Sequence, residues 1–276
     1  MGRTAHSGAA GVPDFRPVNC LLFVNPRSGN GGPSPDELVA AARGLGVETH
    51  VLAAGDDPAG VARASDAAVL GMAGGDGSLA AVADVALQRE AAFVCVPFGT
   101  RNHFARDLGL DRDDPLAALN AFDGGTERRI DVGRAHERLF LNNVSLGVYA
   151  RLVHRREHHR RRRQAFARFR AWAILLTHRH PLGLTIDGDP VESRIVLVAN
   201  NAYALDLPSV GERERLDEGK LHLYVPGNER VAERFVVDAA AGRLEAAVDG
   251  EPDVLETPIE FRIEPRALRV LVPDGQ

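Results

Sequence analysis

Gly74, Gly75, Asp76 and Gly77 follow the apolar run Val69-Leu70-Gly71-Met72-Ala73 and precede Ser78 and Leu79. Glycines let backbone amides approach an anion closely, and a helix beginning just behind them presents its positive end, so the chemistry such a segment suits is phosphate binding. A carboxylate in a phosphate cradle repels the ligand unless it has another task. Asp76 therefore reads as a residue that holds a magnesium ion or takes the proton of an attacking hydroxyl. Taken alone, Gly-Gly-Asp-Gly reads first as a tight strand-to-helix turn with a capping aspartate.

Two further junctions change that balance. Phe93-Val94-Cys95-Val96 runs into Pro97-Phe98-Gly99-Thr100-Arg101-Asn102-His103, and Phe23-Val24 runs into Asn25-Pro26-Arg27-Ser28-Gly29-Asn30-Gly31-Gly32. Asn25, Arg27 and Ser28 can all bond phosphate oxygens. The elements that must position these loops are strands near Cys20 to Asn25, Val47 to Ala53, Ala67 to Met72, Ala91 to Val96 and Arg129 to Gly133. Between them, helical spacing predicts helices at Pro35 to Leu45 and Ser78 to Gln88, the first with Ser34 as N-cap. This alternation is the mark of a parallel sheet wound with helices, whose ligands bind outside the carboxyl ends of the strands. All three loops belong to that edge.

After Gly133 the pattern changes to period two, with strands expected at Leu139 to Val144, Leu182 to Ile186, Arg194 to Asn200, Lys220 to Val225, Arg243 to Val248, Ile259 to Ile263 and Ala267 to Val272. One helical segment, about Val148 to Arg179, interrupts them. The expected organisation is a flexible start over residues 1–16, an α/β domain over 17–133, and a mostly antiparallel β domain over 134–276 whose last strand could belong to either.

Composition removes several classes. Lys220 is the sole lysine, so no G-x-x-x-x-G-K-[ST] phosphate loop exists. Cys20 and Cys95 sit in apolar runs, which argues against a disulfide framework or a zinc site. There is no run of eighteen apolar residues and no signal-peptide pattern at the start, so a cytoplasmic protein with at most peripheral contact at the inner face of the membrane is expected. A net charge of −5 argues against nucleic acid as the main partner.

These residues resemble the diacylglycerol kinase catalytic domain family, which includes sphingosine kinases and bacterial lipid kinases and is related in fold to NAD kinases and phosphofructokinases. Asn25-Pro26-Arg27-Ser28-Gly29 is similar to its nucleotide loop, Gly74 to Ser78 to its Gly-Gly-Asp-Gly-Thr motif, and Pro97 to Asn102 to its Pro-x-Gly-Thr-x-Asn motif. Ile130-Asp131-Val132-Gly133 and Asn142 to Gly147 resemble its link into a second domain, and Val248-Asp249-Gly250-Glu251 its late Asp-Gly-Glu motif. The resemblance implies an NAD kinase-like α/β domain followed by a β-sandwich, with ATP and Mg2+ in the cleft and a lipid hydroxyl as acceptor, diacylglycerol by default. It implies Asp76 as base or magnesium organiser and Glu251 as a carboxylate reaching in from the second domain. Gly74, Gly75, Gly77, Ser78, Gly99, Thr100, Asn102, Asn25, Arg27 and Ser28 would then hold the nucleotide. Asp131 would join the magnesium network, and Glu214 and Asp217 match a loop that binds structural magnesium in some relatives. Without the resemblance, Asp249-Gly250 is a hairpin signal and the acids at 214–217 are solvated turn residues. A carboxylate of ordinary pKa, about 4, is a weak base, so positioning and charge neutralisation must supply most of the rate.

Two departures stand out: Ser78 replaces threonine, keeping the hydroxyl, and His103 replaces an aspartate that commonly follows the asparagine. Between Arg151 and His180 there are ten arginines and five histidines against Glu157 alone, interleaved with Phe166, Phe169 and Trp172. Such a helix can lie on anionic lipid or pack as a crossover helix with solvated arginines. The alternatives to a diacylglycerol kinase are a kinase of the same scaffold acting on a sphingoid base, another lipid or NAD, and a weakened nucleotide- or lipid-binding regulator. A homodimer is left open.

Overall fold

The computed structural model describes residues 19–29, 32–100, 102–147, 182–204 and 212–274. The basic segment Arg151 to His180 and the helix expected over Val148 to Arg179 lie outside the described residues, as does the start of the chain. Among the described residues no helix is long and apolar enough to cross a membrane.

The first half forms β1 (Cys20–Val24), α1 (Pro35–Gly44), β2 (Glu48–Val51), α2 (Pro58–Ala64), β3 (Val69–Gly74), α3 (Asp76–Gln88) and β4 (Ala92–Pro97). Every residue of β1, β3 and β4 is buried, as strands covered on both faces require. They pair in parallel in the order β2-β1-β3-β4. A reciprocal capping box starts α1, with Glu37 N donating to Ser34 Oγ at 3.2 Å and Ser34 N to Glu37 Oε2 at 2.7 Å. The next helices, α4 (His103–Asp107) and α5 (Pro115–Ala118), are too short for an apolar period to repeat, and so is α2, which is why the sequence reading passed over them.

The second half opens with β5 (Thr126–Ala135), β6 (Arg138–Phe140) and β7 (Asn143–Gly147). The single strand expected over Leu139 to Val144 is two, because the carboxylate of Asp249 takes the amides of Leu141, Asn142 and Asn143 and turns the chain there. Then come β8 (Leu184–Ile186), β9 (Asp189–Val191), β10 (Ile195–Asn200), β11 (Leu221–Val225), β12 (Asn228–Ala232), β13 (Arg234–Ala239), β14 (Arg243–Val248), β15 (Glu251–Glu256) and β16 (Ile259–Val272). An antiparallel sheet in the order β12-β11-β10-β7-β14-β15 packs on β8, β13 and the first part of β16 through a core that includes Val144, Val198, Phe235 and Phe261. This is the β-sandwich.

The two strands expected at the end of the chain are one. β16 pairs antiparallel with β13 through Ile259 to Arg262, then parallel with β4 through Val270 and Leu271, with a bulge between Glu264 and Leu268. Arg266 in that bulge has φ +50°, and its amide donates to Asp131 Oδ1 at 2.7 Å. One strand thus serves both halves.

Arg213 makes a second tie. Its side chain is fully buried and binds Asp107 of α4 at 2.7 Å, while its other nitrogens donate to Leu141 O, Asn200 O and Asn142 Oδ1. Truncating it takes one of two cations from the carboxylate of Asp107, itself 1% exposed, leaving Arg106 on Oδ1 and nothing from Arg213 on Oδ2, and removes the donors to Leu141 O, Asn200 O and Asn142 Oδ1. We predict that Arg213→Met destabilises the protein by about 3–5 kcal/mol, the cost of breaking a buried pair, read as a lower urea midpoint. An unchanged midpoint would mean that the halves are held without it.

Candidate active site

The loops after β1, β3 and β4 meet at one edge of the parallel sheet. Asn25 N donates to Ala73 O at 2.9 Å and Phe98 N to Gly74 O at 3.3 Å, which carries the sheet ladder into the loops. A Cβ on Gly29 would lie 2.6 Å from the ring of Phe98, and one on Gly99 would lie 2.5 Å from Gly75 Cα. Side chains at these two positions would hold the loops apart. The convergence read from three separate segments is therefore a feature of the fold.

Asp76 is the first residue of α3 and its side chain is buried. Its Oδ2 accepts from His103 N at 3.1 Å and its Oδ1 from Phe104 N at 3.0 Å, so it caps the neighbouring helix α4 and not its own. These two amides fill two of the roughly four lone-pair sites a carboxylate offers. Asn102, which precedes α4, takes the left-handed region at φ +48° to turn the chain, and its Nδ2 donates to Gly99 O at 3.0 Å. Its Oδ1 is buried and has no partner among the described residues. Ser78 Oγ donates to Gly75 O at 2.8 Å, so the hydroxyl shapes the turn. Asn25 Oδ1 accepts from Arg27 N at 3.1 Å, and the Arg27 guanidinium reaches Ala53 O at 3.4 Å.

Glu251 comes from the other half. A Cβ on Gly77 would overlap its Cγ and Oε1, so the glycine is what lets this carboxylate lie across the first turn of α3. The hairpin that delivers it has positive φ at Asp249 (+48°) and Gly250 (+85°), the two-residue turn that Asp-Gly favours. Asp249 has a further role that sequence reasoning did not assign. Its buried carboxylate accepts from Leu141 N at 2.8 Å, Asn142 N at 2.7 Å and Asn143 N at 3.1 Å, which fixes the hairpin on the β6 to β7 turn. Burial pushes its carboxyl up to about 6; the three amides pull the other way, and the charge of Asp76 adds to the rise.

A polar cavity of about 250 Å³ opens beside these loops, with Gly32, Gly99, Thr100, Asn102, Arg112 and Asp113 on its walls. Arg112 is a cation the sequence reading passed over, because it sits among acids, Asp111, Asp113 and Asp114, where it reads as a solvated loop. The remaining expected ligands lie elsewhere. Asp131 is 1% exposed, and its Oδ2 accepts from Gly219 N at 2.6 Å while its Oδ1 holds Arg266 in the bulge, so it clamps backbone. The loop of Glu214 and Asp217 folds over it through Leu216 O, which accepts from Asp131 N at 2.7 Å, but Glu214 is exposed and Asp217 is bonded by Arg215. Among the described residues no group of three or more His, Cys, Asp or Glu could hold a metal. The donors present suit a cation that arrives already coordinated by phosphates and needs one or two carboxylates more, which is how magnesium is commonly held.

Residues 19–135 match the diacylglycerol kinase catalytic domain. The chain is 34% identical over 84 residues to "Diacylglycerol kinase" of Bacillus subtilis, covering 30% of this chain and 28% of the relative. It is 39% identical over 125 residues to "Probable lipid kinase YegS-like" of Pseudomonas aeruginosa, covering 42% and 40%. These alignments span less than half the length of either relative. Over 93% of this chain and 97% of the other, the fold matches a diacylglycerol kinase structure from Bacillus anthracis with a TM-score of 0.67 at 20% identity. A structure described as a putative diacylglycerol kinase from the same organism matches with a TM-score of 0.64. The match to the diacylglycerol kinase catalytic domain is confined to residues 19–135, and the stretches similar to bacterial diacylglycerol and lipid kinases are of comparable or shorter length.

The raised carboxyl of Asp249 has a pH signature. A folded-state value of about 6 against 3.8 means that its contribution to stability is fully present below about pH 4 and is lost as pH rises through 6. The loss amounts to on the order of 3 kcal/mol for a shift of this size. Asp249→Asn should flatten the fall in urea stability between pH 4 and 7; a slope unchanged by the substitution would assign it to other groups.

Proposed function

We propose that the protein transfers the γ-phosphate of ATP to the hydroxyl of a lipid. The observation that carries this reading is the meeting of Asp76, on the glycine-rich turn into α3, with Glu251, laid across the same turn from the β-sandwich. Convergent glycine loops, the N-terminal end of a 13-residue helix and two carboxylates from opposite halves suit phosphoryl transfer, in which positioning and charge neutralisation do most of the catalysis. Kinship with lipid kinases supports the acceptor class.

The phosphates of ATP would lie over the turns formed by Gly75, Gly77 and Gly99, within reach of Arg27, Ser28, Thr100 and Asn102. Arg112 adds a cation on the cavity wall. Magnesium accompanying the nucleotide would neutralise charge on the transferred group, with Asp76 and Glu251 as the carboxylates that face it. In the transfer, the lipid oxygen bonds the γ-phosphorus, the bond from that phosphorus to the ADP oxygen breaks, and the hydroxyl proton passes to a carboxylate. Asp249, at about 6, is better matched to that task near neutral pH than an ordinary carboxylate, and its three amide bonds leave an acceptor position open.

The test is magnesium-dependent transfer of labelled phosphate from ATP to lipids in mixed micelles, with NAD as a separate acceptor. Labelled lipid with wild type, reduced at least 100-fold in Asp76→Ala and Glu251→Ala, is the expected result. Transfer to NAD alone, or ATP binding with no transfer, would refute it. The kcat/KM profile should fall on the acid side with an apparent pKa of about 6, where Asp249 gains its proton. A limb near 4 would assign the proton to another carboxylate.

A further inference from the structure

We infer that Tyr203 recognises the acceptor lipid, its phenolic O–H donating to a carbonyl oxygen next to the reacting hydroxyl, which selects a glycerol ester over a sphingoid base. This rests on the lipid-kinase reading and names the acceptor within it.

Tyr203 follows β10 and is joined to Asp249 through one residue. Asn143 donates its backbone N–H to Asp249 Oδ1 at 3.1 Å and its side-chain Nδ2 to Tyr203 Oη at 2.8 Å. The phenol oxygen thus accepts from Asn143 and has its own proton left to give, and among the described residues no group takes it. The ring is held. Tyr203 N donates to Tyr224 Oη at 3.1 Å, and the guanidinium of Arg213 lies 6.0 Å from the ring centroid. Arg213 is itself locked to Asp107 of α4, so the phenol is fixed relative to both halves of the protein. Burial raises the phenol pKa and keeps it a proton donor at neutral pH.

Ser145 adds a second hydroxyl. It stands two residues beyond Asn143 on β7, on the same face of the strand, and its buried Oγ has no partner among the described residues. Two neutral hydroxyls, those of Tyr203 and Ser145, thus stand on the side of β7 that carries Asn143, and the phenol, which accepts from Asn143, has a proton to donate. A carbonyl oxygen accepts from such a group. A sphingoid base carries an ammonium, which offers only donors, where the ester carries its carbonyl.

The experiment compares a diacylglycerol, the dialkyl ether of the same chain length, which lacks the carbonyls, and a sphingoid base, with wild type and Tyr203→Phe. Wild type should show a KM for the ester several-fold to tenfold below that for the ether, the range one hydrogen bond provides, and should use the sphingoid base least. Tyr203→Phe should raise the ester KM to the ether value while leaving the ether KM and the ATP KM unchanged, a split that a general loss of structure would not give. Equal use of ester and ether by wild type, an ester preference that survives in Tyr203→Phe, or a preference for the sphingoid base would each overturn the inference and leave the kinase reading standing. ATP binding without transfer to any of the three lipids would remove both.

Discussion

The two hydrogen bonds from the amides of His103 and Phe104 to the carboxylate of Asp76 lie where the whole site is assembled. They join the turn after β3 to the turn after β4, and they require both backbones to come close, which Gly75 and Gly99 permit. Once the turns are joined, the glycines of both loops, the left-handed Asn102 and the first turn of α3 take fixed relative positions. A charge buried this way is tolerated because its acceptors meet amide donors. The side chain proposed to organise a phosphate site thus also joins the loops that form it.

The β-sandwich depends on the same economy of connections. β16 begins in the sandwich and ends beside β4, and its bulge is held by Asp131, so a carboxylate between the halves stabilises backbone in both. Arg213 ties α4 to the β6–β7 turn and to the end of β10. These ties matter for function, since Glu251 reaches Gly77 only while the hairpin that carries it is held against α3. A cleft built by two halves needs a fixed gap, and three separate connections set it.

Much of this was legible in the residues because the physics was local. Apolar runs ending in glycine gave the strands and loops of the parallel sheet, Ser34 and Pro35 gave the start of α1, and Asp249-Gly250 gave a hairpin. What escaped was set by partners distant in sequence. Asp249 could not be seen as the residue that splits β6 from β7, because its three amides lie more than a hundred residues earlier. Asp131 carries the same carboxylate as a metal ligand, and only its partners, Gly219 and Arg266, distinguish a backbone clamp. Arg213, the cation between the halves, sits in a run of charges that reads as surface. Short helices such as α4 carry too few residues for a period to register.

The most direct test of the site itself is amide hydrogen exchange with and without a non-hydrolysable ATP analogue and magnesium. Binding should slow exchange at Asn25 to Gly29, Gly74 to Ser78 and Gly99 to Phe104 together, with a smaller change at the hairpin carrying Glu251. Protection confined to another part of the molecule, or none at these three loops while the analogue is bound, would contradict the account.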